Sequence, residues 1–230
     1  MWINIILFID PKMIKALIFD MDGVIVDSEY HWHKQEYKLL KSLIPYWDKD
    51  KHESITGRSV KDIFLLLKKQ YTINLTKNEF NIKYDELAKV IYNKRTRLYP
   101  GIIAVLNEAR KMGLKIGLCS SSSKKWINMV LNRFQLENFF DAIVSSDDIS
   151  GDSKPSPVIY QYIIGLLNVK SKESIAFEDS ENGISSAKNA GLYSVGFRNG
   201  FNNNQKLERA DMIIEDFNDL NLEILITKFL

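Results

Sequence analysis

From Pro100 onward, short apolar runs alternate with helical segments, and this alternation constrains the fold more than any other feature of the chain. Lys115–Cys119, Ala142–Ser145, Ser174–Phe177, Tyr193–Phe197 and Met212–Ile214 are short, bounded by turn residues and rich in β-formers, so they read as buried strands. Between them, Ile102–Met112, Ser123–Phe134, Pro155–Leu167 and Glu181–Ala190 read as helices, and Phe217–Phe229 reads as a closing helix. Pro155 falls in a first turn, where a missing N–H costs little. Strands that alternate with helices form a parallel sheet covered on both faces. An earlier run, Ile14–Phe19, has the same strand character. The expected class is α/β, with a Rossmann-like parallel sheet as its core.

The stretch between that first strand and Pro100 carries no strand signal. Ser28 is a candidate cap for a helix over Glu29–Leu43, Pro45 and the charged Asp48–Lys51 mark a loop, and Ile55–Ser59 marks a turn. Ser59 opens a helix whose apolar face is Val60, Ile63, Phe64 and Leu67, and Thr76 opens another over Asn78–Arg97 with Phe80, Tyr84, Leu87 and Ile91 on one stripe. The 230 residues therefore divide into a catalytic core of 14–27 plus 98–230 and an inserted α-helical cap of 28–97. An insertion at that point sits over the carboxyl edge of the sheet, like a lid. Residues 1–13, set off by Asp10-Pro11-Lys12, read as an N-terminal extension.

Charge and composition narrow the function. The 31 basic and 29 acidic residues nearly cancel, to a net charge of +2, so no nucleic acid or other polyanion is implied as a partner. No apolar run approaches the roughly 20 residues of a membrane span. The one cysteine, Cys119, allows no intrachain disulfide and reads as a small buried apolar residue, which fits a reducing, cytoplasmic setting.

Polar residues recur directly after the strands. Asp20 and Asp22 follow the first, Ser120 follows Lys115–Cys119, Glu178 and Asp179 follow Ser174–Phe177, and Lys154 precedes a helix. In a parallel sheet these ends share one rim, where open α/β proteins bind ligands. Asp20, Asp22, Glu178 and Asp179 bring up to four negative charges together, which costs several kcal/mol unless the carboxylates are protonated or neutralised. Hard oxygen donors without neighbouring His or Cys suit Mg2+. Lys154 adds fixed positive charge and Ser120 adds donors at a helix entrance, so a phosphate is the natural substrate group. Two aspartates one residue apart permit one nucleophile and one general acid/base.

DMDGVIVDSE at 20–29 resembles the first motif of the haloacid dehalogenase superfamily, LCSS at 118–121 its second, Lys154 in SKPSP its third, and EDSENGISSAKNAG at 178–191 its fourth. A single DxD is weak evidence; four motifs in order, over about residues 14–215, are specific. The resemblance implies Asp20 as nucleophile and Asp22 as general acid/base, with Ser120 and Lys154 on the phosphate; the serine run also allows Ser121. It implies Mg2+ held by Asp20, Asp179 and the Asp22 carbonyl, with Glu178 in support. Halide-removing members lack an acid at the position of Asp22, so the resemblance is to the branch of phosphatases and β-phosphoglucomutases with an α-helical cap.

That branch suggests three substrate candidates around the cap. His31 lies near a histidine of the mutase-like members but is offset by one residue, and with His33 also reads as a solvated helix residue. Arg58 sits in a Gly-x-x-x-x-Asp pattern, although the mutase arginine falls where Val60 or Lys61 stands here. Lys124 fits contact with a sugar or second phosphate, or a solvated face. The expectation is a phosphatase of a small phosphorylated metabolite, such as a sugar phosphate. A sugar phosphomutase is the alternative, and an inactive binding protein of the same fold a remote one. The sequence leaves the substrate and the oligomeric state open.

Overall fold

The computed structural model describes residues 14–55, 58–149 and 153–229. The expected N-terminal extension, and Thr56 and Gly57 of the expected turn, lie outside the described residues. Six strands form one parallel sheet in the order β3-β2-β1-β4-β5-β6. They are β1 Ala16–Phe19, β2 Lys115–Cys119, β3 Ala142–Val144, β4 Ser174–Glu178, β5 Tyr193–Phe197 and β6 Met212–Ile214. β1 lies centrally, with Phe19 paired to Leu118 on one side and to Phe177 on the other. Its four residues are fully buried. Alternation sends Ala16 and Ile18 into a core under α7 (Val158–Leu167) and α8 (Glu181–Asn189), and Leu17 and Phe19 into the opposite core, with α5 (Ile102–Lys111) and α9 (Leu222–Lys228). Phe19 stacks on Phe177, centroids 4.6 Å apart. The remaining sheet-side helix is α6, Lys124–Phe134.

The segment 28–97 is helical, as the sequence indicates. It holds α1 (Ser28–Leu43), α2 (Lys49–Glu53), α3 (Val60–Gln70) and α4 (Lys77–Val90). Ser59 and Thr76 cap α3 and α4, the latter in a full capping box with Glu79. The two chain crossings into this block run side by side. Asp27 N donates to Arg97 O at 3.0 Å, Tyr99 N to Ile25 O at 3.0 Å, and Val26 bridges Leu98.

Several boundaries differ from expectation, each for a local reason. Asp48–Lys51 is not loop throughout: the Asp48 carboxylate accepts the Lys51 N–H at 2.9 Å and starts α2. The helix expected from Pro155 begins at Val158, because Ser156 precedes Pro157 and a residue before proline is pushed out of helical geometry. The helix expected over Asn78–Arg97 ends at Val90 and passes into a π-helical turn, Ile91–Arg95. The closing helix is split, because Asp216 and Asn221 each cap a separate turn. Ala142–Ser145 stops at Val144, and β4 extends to include Glu178. Ser28 does not cap α1; it is its first residue, and its hydroxyl is used elsewhere.

Candidate active site

From β1 the chain runs to β2 on one side and from β4 to β5 on the other, so the switch point of the sheet lies between the carboxyl ends of β1 and β4. Asp20 follows β1 and its N–H continues the ladder to Phe177 O at 3.0 Å. Glu178 ends β4 and Asp179 follows it. All three carboxylates are buried, and one oxygen of each lies within 4.8 Å of the others.

Lys154 binds this group together. Its Nζ donates to Asp20 Oδ1 at 2.5 Å, to Glu178 Oε1 at 2.6 Å and to Cys119 O at 3.2 Å. Tyr160 OH donates to the same Glu178 oxygen at 2.6 Å. Burial disfavours the Lys154 ammonium, but Asp20 and Glu178 outweigh it and raise its pKa. Burial pushes the Asp20 and Asp179 carboxyls well above the usual range, against the pull of Lys154. Fully ionised, three carboxylates and one ammonium leave two negative charges in a buried site, an excess that a divalent cation matches. The all-oxygen donor set suits a hard divalent cation such as Mg2+, Ca2+ or Mn2+. Two glycines shape the cradle: a Cβ on Gly183 would overlap the Glu178 carboxylate, and one on Gly23 would overlap that of Asp179.

Asp22 stands apart from this cluster. Its Oδ1 accepts Ser28 Oγ at 2.6 Å and Tyr92 OH at 2.8 Å, and its Oδ2 accepts Ser122 Oγ at 2.7 Å. Burial raises its pKa and the three hydroxyls oppose the rise. Asp179 is steadied by a loop beyond β5: Asn199 Nδ2 donates to its Oδ2 at 2.9 Å, and Asn202 Nδ2 to its backbone O at 2.6 Å.

A cavity of about 210 Å³ opens over these groups, and Asp20, Asp22, Ser120, Ser121, Lys154, Glu178 and Asp179 all line it. The helical block supplies the far wall, with Glu29, Trp32, His33 and Glu36 from α1, Arg58 and Tyr84. Burial lifts the Glu29 carboxyl to about 8 and the Glu36 carboxyl to about 7; Tyr84 OH donates to Glu36 at 2.8 Å and works against the second shift. Of the three substrate candidates, Arg58 lines the cavity. His31 does not; the α1 turn directs His33 there instead. Lys124 is exposed, pairs with Asp148 at 3.6 Å and lies outside the lining. Sequence reasoning did not single out Ser28 as a ligand of Asp22, nor Tyr92, Ser122, Tyr160, Asn199 or Asn202. Only the Asn202–Asn204 run and the Ser120–Ser123 run carry any signal, as polar clusters beside a strand end.

This strand order, with buried carboxylates and a lysine at its switch point, is that of an open α/β protein whose ligand site lies at the carboxyl ends of the strands. The chain belongs to the haloacid dehalogenase-like hydrolases, whose family model matches residues 17–197. It is 34% identical to YhcW of Bacillus subtilis, named as a candidate phosphatase, over 93% of this chain and 97% of that one. It is 28% identical to the phosphorylated carbohydrates phosphatase of Thermotoga maritima, over 79% and 83% of the two chains. Its fold superposes on the crystal structure of a β-phosphoglucomutase from Clostridium difficile with a TM-score of 0.77, at 29% identity over 94% and 97% of the chains.

Proposed function

We propose that this chain is a Mg2+-dependent phosphatase of a small phosphorylated metabolite, a sugar phosphate, working through an aspartyl phosphate on Asp20. The observation that supports this most directly is the meeting of Asp20, Lys154, Glu178 and Asp179 at the switch point beneath one cavity. Asp20 attacks phosphorus. Asp22 gives a proton to the leaving oxygen and later takes one from the water that releases the phosphate. Ser120, Ser121 and Lys154 hold the phosphoryl oxygens. Asp20, Asp179 and the Asp22 carbonyl would hold Mg2+, and Glu178, whose Oε1 is already occupied by Lys154 and Tyr160, would support them. Mg2+ bound there supplies charge neutralisation for the carboxylates and the phosphoryl group. The block 28–97 acts as a lid, hinged at the paired crossings 25–27 and 97–99, and its closure excludes water from the first transfer.

The far wall favours hydrolysis over mutase chemistry. With pKa values of about 8 and about 7, the Glu29 carboxyl is mostly protonated and the Glu36 carboxyl about half protonated at about pH 7, and a protonated carboxyl both donates to and accepts from sugar hydroxyls. Besides Lys154, Arg58 is the only ammonium or guanidinium among the described lining residues, so the grip on a second phosphate would rest on this one side chain. A panel of phosphorylated sugars with and without Mg2+ tests the reading, together with β-glucose 1-phosphate and a bisphosphate primer. Mg2+-dependent release of free phosphate is expected; glucose 6-phosphate formed without free phosphate contradicts it.

A further inference from the structure

Tyr92 is fully buried on the π-helical turn Ile91–Arg95, at the end of the helical block. Such turns recur at functional sites. Its ring packs among Trp32 and Trp126, with centroids 5.9 and 6.3 Å away, and its backbone carbonyl accepts from Arg133. Its hydroxyl accepts Trp32 Nε1–H at 2.9 Å, so its single proton is free to go to Asp22 Oδ1. Ser28 donates to the same oxygen. Oδ1 is therefore occupied by two donors, while Oδ2 meets only Ser122, a hydroxyl that can rotate and accept instead. Ser122 Oγ lies 3.4 Å from Tyr92 OH, so the three groups form one closed set.

We infer that Tyr92 is a positioning residue for proton transfer: its hydroxyl, carried by the helical block, fixes the rotation of the Asp22 carboxyl and leaves Oδ2 as the oxygen that holds the moving proton. This rests on the proposed role of Asp22 as general acid/base. In the first step the Oδ2 proton passes to the ester oxygen as that oxygen's bond to phosphorus breaks and an Asp20 oxygen bonds to phosphorus. Asp22 is then a carboxylate, and the donors on Oδ1 stabilise it. In the second step water returns a proton to Oδ2 as its oxygen bonds to phosphorus and the Asp20–phosphorus bond breaks. Trp32 and Tyr92 belong to the helical block, whereas Asp22 and Ser122 belong to the sheet side. Both donors to Oδ1, Ser28 and Tyr92, thus reach Asp22 from the helical block, and the partner of Oδ2 reaches it from the sheet side.

The test compares two substrates in Tyr92→Phe. An alkyl ester such as a sugar phosphate needs its leaving oxygen protonated; nitrophenyl phosphate releases a stable phenolate and does not. The ratio of alkyl to aryl kcat/KM should fall about tenfold or more in Tyr92→Phe, borne by kcat rather than KM. Asp22→Asn is the control and should lower the same ratio further. If Tyr92→Phe fails to fold, Trp32→Phe removes the Nε1–H that directs the Tyr92 proton to Oδ1 and should lower the same ratio, whereas an unchanged ratio in that variant would overturn the inference. Equal losses on both substrates in Tyr92→Phe would mark Tyr92 as merely structural and overturn the inference. An unchanged ratio in Tyr92→Phe beside a collapsed ratio in Asp22→Asn would overturn it while leaving Asp22 in its role. An unchanged ratio in Asp22→Asn would overturn that role and the inference with it.

Discussion

Glu36 is a carboxyl held by the fold against its own ionisation. Burial lifts its pKa from 4.5 to about 7, with only the Tyr84 hydroxyl working the other way. In the window between those values the folded chain keeps a proton that the unfolded chain has lost. The stability contributed by this group is therefore full below the unfolded value, falls as pH rises through the window, and is flat above it. The shift corresponds to ~3 kcal/mol at most. Glu36→Gln removes the titration yet keeps an oxygen for Tyr84. Thermal melts should show the variant gaining stability over the native chain at about pH 8 and losing that advantage by about pH 4. A difference that stays constant across this range would contradict the assignment. Asp20 and Asp179 are a different case, because on the proposed reading the cation that reverses their upward shifts is part of the working site. Residues of this kind were legible where they follow a strand end. Asp20, Ser120, Glu178 and Asp179 all sit within a residue of one. Tyr92 and Tyr160 were not, because each reaches its carboxylate from a distant part of the chain and looks like ordinary core.

At the scale of elements, the entrance of α8 shows how a helix start serves the site. Ser180 caps the helix by accepting the Gly183 N–H at 3.0 Å, which brings the first turn down onto Glu178. Gly183 is the contact point, and a methyl there meets a carboxylate already fixed by Lys154 and Tyr160. Gly183→Ala should weaken Mg2+ binding about tenfold or more, read by titration calorimetry, while the fold persists. Native affinity in that variant would show that the Glu178 position is not needed. The strands β2, β5 and β6 match their apolar runs residue for residue, since buried parallel strands leave a plain signature. The π-helical turn after α4 left none. Its apolar stripe keeps helical spacing through Ile91, and what widens the turn is tertiary: Tyr92 is drawn to Asp22 and Trp32, and its carbonyl to Arg133.

Across the whole molecule, one sheet and one inserted block meet over a single row of strand ends. The strand order was not written in any local run, but the alternation of strands and helices left few parallel arrangements, and the order found places the first strand at the centre. The site followed from that placement, because a central β1 puts Asp20 between the ends of β2 and β4. What the sequence could not reveal is the set of contacts between block and sheet, such as Lys125 and Trp126 of α6 on Asp85 of α4, each at 2.8 Å. Those contacts depend on side chains far apart in the chain. On the proposed reading, all of the chemistry depends on Asp20 carrying the phosphoryl group. Acid quenching during turnover of a radiolabelled sugar phosphate with Mg2+, followed by peptide mapping, measures this directly. The label should appear on the peptide that contains Asp20, be released by hydroxylamine, and vanish in Asp20→Asn together with turnover. Label on any other residue, or full turnover in Asp20→Asn, would contradict it.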